Sequence, residues 1–149
     1  MHSNLNPDDS SAFFATPQQL VTRDLPPERI GGSGSGLFEI WRIARDGKFR
    51  VLKCLSPDYR TKASYVELLK REFSIGYSLS NPFICEVFSF AEHPELGPCI
   101  EMEWIDGIPL QEHLASSHLP AKGKRKIADQ LLDAVGYIHS KQIVHKDCK

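Results

Sequence analysis

Two charged residues of this sequence lie where apolar side chains are expected. Side chains alternate along a strand, so Lys53 in Val51-Leu-Lys-Cys-Leu55 points to the same side as its apolar neighbours. Glu72 lies three or four residues from apolar positions of a helical pattern. An isolated buried charge is costly, and a Lys–Glu pair between strand and helix would remove both costs. The alternative is that Lys53 reaches the sheet edge while Glu72 borders the apolar stripe. These residues alone favour neither interpretation.

A run of glycine and serine, Ile30-Gly-Gly-Ser-Gly-Ser-Gly-Leu37, precedes this lysine. The composition suits a flexible linker as well as a loop whose backbone approaches a phosphate. The following segments are rich in aromatic and branched residues, and Asp46-Gly47 between them predicts a two-residue hairpin turn. A linker would interrupt these paired strands, so we favour the phosphate loop. A lysine paired with Glu72 could then hold its ammonium over polyphosphate oxygens.

The segment His145-Lys-Asp-Cys-Lys149 follows a helical pattern and a short apolar stretch. Asp147 could act as a general base, and Lys149 could neutralise a phosphate or a leaving group. Taken alone, the segment could equally be a polar tail.

The elements that must position these groups follow from the hydrophobic pattern. Apolar residues recur at helical spacing over residues 61–79, and Asn81-Pro82 is expected to end this helix. Strand-like segments follow at 84–90 and 98–105, which gives about five strands and one crossing helix. Further on, a short helix is predicted near 110–114. A longer helix follows with the apolar stripe Ile127, Leu131, Val135 and Ile138.

The bulk composition excludes several classes of protein. The 149 residues fit one domain, and the net charge of -1 from 18 basic and 19 acidic residues provides no field for nucleic acid or an anionic membrane. The basic run at 122–126 lacks interleaved aromatic residues, which favours a solvated start of a helix over a nucleic-acid-binding patch. The four cysteines lie far apart without metal-ligand spacing, which predicts neither a zinc site nor a disulfide framework. No apolar run approaches the roughly 20 residues that cross a bilayer, and no signal peptide is visible. We therefore expect a reduced, cytoplasmic protein.

Together and in this order, these pieces resemble the eukaryotic-like protein kinase family, in its Ser/Thr branch. The glycine loop, Val-Leu-Lys, the helical Glu and His-x-Asp-x-Lys are its landmarks, and Ile100-Glu-Met-Glu-Trp-Ile-Asp-Gly107 resembles its fifth strand and hinge. The resemblance implies an α+β fold. A flexible N-terminal arm over 1–29 would precede a kinase-like N-lobe over 30–105, with a five-stranded antiparallel sheet and one C-helix. The initial helices of an incomplete helical C-lobe would follow over 106–149, ending in the catalytic loop.

The resemblance also implies ATP and Mg²⁺ as cofactors and assigns roles to residues. Lys53, paired with Glu72, would hold the α- and β-phosphates, and Asp147 would orient the protein hydroxyl and accept its proton. Lys149 would stabilise charge on the transferred phosphoryl group, which favours Ser/Thr acceptors. The residues expected to bind the nucleotide are Ile30, Gly31, Gly32, Ser33, Gly34, Ser35, Gly36, Phe38, Val51, Lys53, Glu72, Met102, Glu103 and Ile105.

Three departures from the family pattern limit these expectations. Lys146 replaces the usual arginine, and the glycine spacing fits two registers, starting at Gly31 or at Gly32. The sequence stops at Lys149, before the Asn and the Asp-Phe-Gly motif that hold the metal, so we assign no metal ligand in this chain. We expect the N-terminal portion of an ATP-dependent Ser/Thr protein kinase that is inactive alone, with an unknown protein substrate. The alternative is a kinase-like nucleotide- or partner-binding module without catalysis.

Overall fold

The computed structural model describes residues 26–116 and 119–145. Its elements are β1 (Glu28–Gly32), β2 (Phe38–Arg45), β3 (Lys48–Leu55), α1 (Ala63–Tyr77), β4 (Val87–His93), β5 (Gly97–Glu103), α2 (Leu110–Ser116) and α3 (Ala121–Ser140). The predicted α+β architecture, with five strands, one crossing helix and further helices after them, is confirmed. Most of the predicted N-terminal arm lies outside the described residues.

The five strands form one antiparallel sheet in the order β1-β2-β3-β5-β4. Strands β2 and β3 are joined by the predicted two-residue turn, in which Asp46 has φ 51° and Gly47 has φ 73°. These values suit the turn type whose twist matches that of the flanking strands. The turn pairs Arg45 with Lys48 and thereby places Ile40 opposite Lys53.

The inner face of the sheet, which carries Phe38, Val51, Lys53, Leu55, Ile100 and Met102, packs against α1. Leu69 of α1 is fully buried against Leu55 and Ile100, and Phe73 and Phe90 surround this cluster. The neighbouring Leu68 stays about half exposed. The helix is therefore fixed on the sheet by a narrow apolar stripe centred on Leu69, which also sets the position of Glu72 one turn later.

The outer face carries a second core cluster, formed by Ile43, Leu52, Cys54, Leu96 and Cys99. Cys54 and Cys99 are register partners on β3 and β5, their Cα atoms lie 4.3 Å apart, and their sulfurs form a disulfide. Our prediction of no disulfide was therefore wrong. Sequence spacing misled it, because the topology brings together two strands whose cysteines are 45 residues apart.

Helix α3 is tied to the segment that follows α1. The Ser80 amide donates a hydrogen bond to the Tyr137 hydroxyl at 2.9 Å, and the Asn81 amide side chain contacts the Asp133 carboxylate at 3.1 Å. Ile138 is buried, whereas Leu131 of the predicted stripe is 55% exposed. None of the helices within 26–116 and 119–145 is long and apolar enough to cross a membrane.

Candidate functional site

The glycine run forms a closed turn between β1 and β2. The Ser33 amide donates to the Phe38 carbonyl at 2.9 Å, and the Phe38 amide donates to the Ser33 hydroxyl at 3.0 Å. The Gly36 amide in turn donates to the Ser33 carbonyl at 2.9 Å. Ser33, which takes the second glycine position in one of the two family registers, therefore closes the base of the turn with its side chain as well as its backbone.

The glycines of this turn differ in what they permit. A Cβ atom on Gly32 would lie 2.8 Å from the Phe38 carbonyl oxygen, so this close approach of two backbones requires glycine. Gly36 adopts φ 71°, which disfavours other residues. A Cβ on Gly34 or Gly36 would meet no atom within 4 Å, so the tip of the turn borders open space. A ligand could approach the backbone closely there.

Lys53 and Glu72 form the pair that the sequence left open. Strand β3 directs the lysine toward α1, and its Nζ donates a hydrogen bond to Glu72 Oε1. The same Nζ lies 4.3 Å from the centre of the Phe38 ring, at the end of the glycine turn. The Lys53 side chain is 21% exposed and that of Glu72 is 43% exposed. The ammonium is thus held by a carboxylate and an aromatic face while remaining accessible to a ligand.

The far end of the inner face leads into the segment after β5. Val51 and Met102 are register partners, so their side chains lie on the same face as Lys53. We call residues 103–105 the hinge. The Glu103 amide donates to the Glu86 carbonyl at 2.9 Å, and the Glu86 amide donates to the Glu103 carboxylate at 3.3 Å. These reciprocal bonds fix the start of the hinge to the segment before β4.

Cys85 lies beside this fixed segment. Its Sγ is 3.7 Å from the Glu103 carbonyl oxygen, and the side chain is partly buried. Burial raises the pKa of the Cys85 thiol, and the nearby Glu103 carboxylate raises it further. The thiol is therefore in its neutral form at neutral pH.

The residues predicted to bind the nucleotide lie on β1, the glycine turn, β2, β3, α1, β5 and the residues directly after β5. Ile30, Gly31 and Gly32 lie on the exposed strand β1, where Ile30 falls within the β-bulge, and the turn carries Ser33, Gly34, Ser35 and Gly36. Ile105 follows β5 and is 61% exposed. Of the three predicted catalytic residues, Lys53 is described above, whereas Asp147 and Lys149 lie outside the described residues, and so does Lys146.

One cluster at the hinge was not predicted from the sequence. Arg42 lies on the inner face, and its guanidinium lies over the rings of both Phe49 and Trp104. The signal that identified Lys53 was also available here, because strand alternation places this arginine on the same side as Ile40 and Phe38. Ser33 as the closing residue of the turn was missed as well, since no pattern distinguished it from Ser35.

A metal ion would need several ligand side chains brought together. Within 26–116 and 119–145, no group of three or more His, Cys, Asp or Glu side chains could hold one. The described residues therefore do not fit a Mg²⁺ site. They do fit an anionic nucleotide, because an accessible ammonium faces a turn whose tip borders open space.

Comparison with known proteins places this geometry in context. The protein kinase domain family model matches residues 28–149. The serine/threonine-protein kinase PrkC of Bacillus subtilis is 30% identical over 135 residues, which cover 80% of this chain and 21% of PrkC. The serine/threonine-protein kinase pkn2 of Myxococcus xanthus is 26% identical over 120 residues, which cover 80% of this chain and 14% of that protein.

Solved structures show the same likeness. The crystal structure of Rad53 1-466 in complex with AMP-PNP matches with a TM-score of 0.67 and 25% identity, over 85% of this chain and 32% of that one. The Mycobacterium tuberculosis PknI kinase domain matches with a TM-score of 0.61 and 25% identity, over 82% of this chain and 49% of that one. The chain therefore spans between about a seventh and a half of the length of these proteins.

Proposed function

Because this chain belongs to the protein kinase family and corresponds to its N-terminal part, we propose that it binds ATP between the glycine turn and the hinge. In the proposal it provides the nucleotide-binding portion of a Ser/Thr protein kinase. The observation that carries this proposal is the Lys53–Glu72 pair below the glycine turn. A pair that served stability alone could lie anywhere on the sheet, whereas this one leaves its ammonium accessible beside an open turn.

In this proposal, Lys53 contacts the α- and β-phosphates and Glu72 prevents the ammonium from turning away. Backbone amides at the tip of the turn, from Gly34 and Ser35, approach the phosphate oxygens. The adenine lies against the apolar inner face near Val51 and Met102, with Ile30 and Ile105 at its borders. Backbone groups of the hinge then hold the edge of the base.

Phosphoryl transfer itself is assigned to residues beyond the described ones. Asp147 accepts the proton of a protein hydroxyl, and Lys149 neutralises charge on the transferred phosphoryl group. The cytoplasmic location and the division at residues 29/30 and 105/106 remain predictions.

The proposal is tested by nucleotide binding to residues 1–149, with Lys53→Met as the variant. The variant loses a charge-assisted contact to phosphate, which is expected to weaken ATP binding about 10- to 100-fold. Lys48→Met is the matched control, because Lys48 is an exposed lysine of the same strand. Isothermal titration calorimetry measures both dissociation constants. Equal weakening by the two substitutions, or no binding by the unmodified chain, would refute the proposal.

A further inference from the structure

We propose that Arg42 is a positioning residue for the hinge: by stacking on Trp104 it fixes the backbone of residues 103–105 against the sheet. The inference deepens the proposed ATP-binding function and rests on it, since a fixed hinge matters where a nucleotide base is held. No substrate atom is assigned to Arg42 itself.

The geometry of the cluster supports this role. The Arg42 guanidinium carbon lies 4.7 Å from the centre of the Phe49 ring and 5.3 Å from that of Trp104. The two rings lie 6.1 Å apart with an interplanar angle of 61°. Both distances to the guanidinium fall within the range in which a cation is attracted to an aromatic face. One cation therefore connects β2, β3 and the hinge.

A third partner holds the arginine in place. Its Nη2 lies 2.5 Å from Glu28 Oε2, and Glu28 on β1 is the register partner of Arg42. The guanidinium is planar and rigid, so a carboxylate that fixes its orientation also favours its stacking. The Arg42 side chain is 32% exposed, which leaves these contacts only partly screened by water.

The position of the cluster connects it to the nucleotide site. Arg42 pairs in register with Val51, and Val51 pairs with Met102, so the three residues form one row across β2, β3 and β5. Val51 and Met102 are the residues proposed to contact the adenine. Trp104 is the second residue after Met102. A tie between Arg42 and Trp104 therefore fixes the chain where the adenine-contacting row ends.

A matched contact on the other face provides the control. The Arg50 guanidinium carbon lies 3.9 Å from the centre of the Phe88 ring, and Arg50 belongs to the outer face with Ile43 and Leu52. Its removal deletes one cation–π contact from the same sheet, together with an ion pair in which Arg50 Nε lies 3.9 Å from Glu101 Oε1, and it leaves the side chains of the inner face in place. A general effect of losing a cation–π contact and an ion pair should therefore appear in Arg50→Ala as well as in Arg42→Ala.

The experiment uses residues 1–149 carrying Trp41→Phe, so that Trp104 is the single tryptophan of a chain that has 2. Acrylamide quenching reports the exposure of Trp104, and calorimetric titration with ATP and MgCl₂ reports the dissociation constant. Arg42→Ala is expected to raise the quenching constant about twofold and the ATP dissociation constant about fivefold, from the loss of two cation–π contacts. Arg42→Lys keeps the charge without the planar stack and should give intermediate values. Arg50→Ala should change neither quantity.

The outcomes separate this inference from the proposed function. If neither the native chain nor the Trp41→Phe chain binds ATP, the proposed function is refuted and the inference with it. If ATP binds but Arg42→Ala alters neither quenching nor affinity, or alters quenching alone, the positioning role is overturned. If Arg42→Ala does not fold by circular dichroism, Phe49→Leu replaces it as the variant that opens the stack. Phe49→Leu should then show the same joint increase, and an unchanged affinity would overturn the proposal.

Discussion

The contact between α1 and the sheet gives a sharp prediction, because two adjacent leucines of that helix differ in burial. Leu69 is fully buried between Leu55 and Ile100, whereas Leu68 is 47% exposed. Leu69→Ala removes three buried carbon atoms and leaves a cavity, and such substitutions destabilise by about 3 kcal/mol. Leu68→Ala forfeits only part of a side chain's burial, partly offset by the better helix propensity of alanine, so we expect about 0.5 kcal/mol.

Urea denaturation followed by far-ultraviolet circular dichroism measures both effects on residues 1–149. Since both variants should expose the same surface on unfolding, the slope of free energy against urea is expected to stay unchanged while the midpoint falls for Leu69→Ala. The substitution should also weaken ATP binding, because Leu69 sets the position of α1 and thus of Glu72. A difference of less than 1 kcal/mol between the variants would refute the packing described for α1.

Two further predictions concern the cysteines. The Cys54–Cys99 bond closes a loop across a separation of 45 residues, so the Cys54→Ser, Cys99→Ser double variant should lose about 2 to 4 kcal/mol of stability under oxidising conditions. Dithiothreitol treatment of the unmodified chain should cause the same loss. Equal thermal midpoints with and without the reductant would contradict the presence of the bond. The raised pKa of Cys85 lowers its thiolate fraction, so iodoacetamide should alkylate it more slowly than a free cysteine peptide at pH 8, and the alkylation rate should rise steeply at higher pH. Mass spectrometry of the modified peptides measures both rates. A Cys85 rate equal to that of the free peptide at pH 8 would show that the thiol is not protected as described.

Local signals in the sequence were sufficient for most of the fold. The Asp46-Gly47 turn, the alternation along β2 and β3 and the spacing around Leu69 each act over a few residues, and they predicted the strands and the helix that position Lys53. The sequence did not decide whether Lys53 and Glu72 form a pair. The two residues are 19 positions apart, one on a strand and one on a helix, and only the packing of the helix on the sheet brings them together.

The remaining features depend on long-range pairing. Strand β5 inserts between β3 and β4, and only this topology makes Cys54 and Cys99 neighbours. The stack of Arg42 on Trp104 likewise joins residues of β2 and the hinge that no local pattern connects. Ser33 and Ser35 have the same side chain, and only the geometry of the turn brings the Ser33 hydroxyl to the Phe38 amide.

The disulfide also divides the sheet mechanically. It joins β3 to β5 immediately beside Lys53, so these two strands cannot slide past each other without breaking a covalent bond. Among the described residues, strand β1 pairs with β2 alone, and it is exposed along its whole length. We therefore expect β3, which carries Lys53, and β5 to resist deformation of the sheet. Strand β1 and the glycine turn at its end should bend more easily.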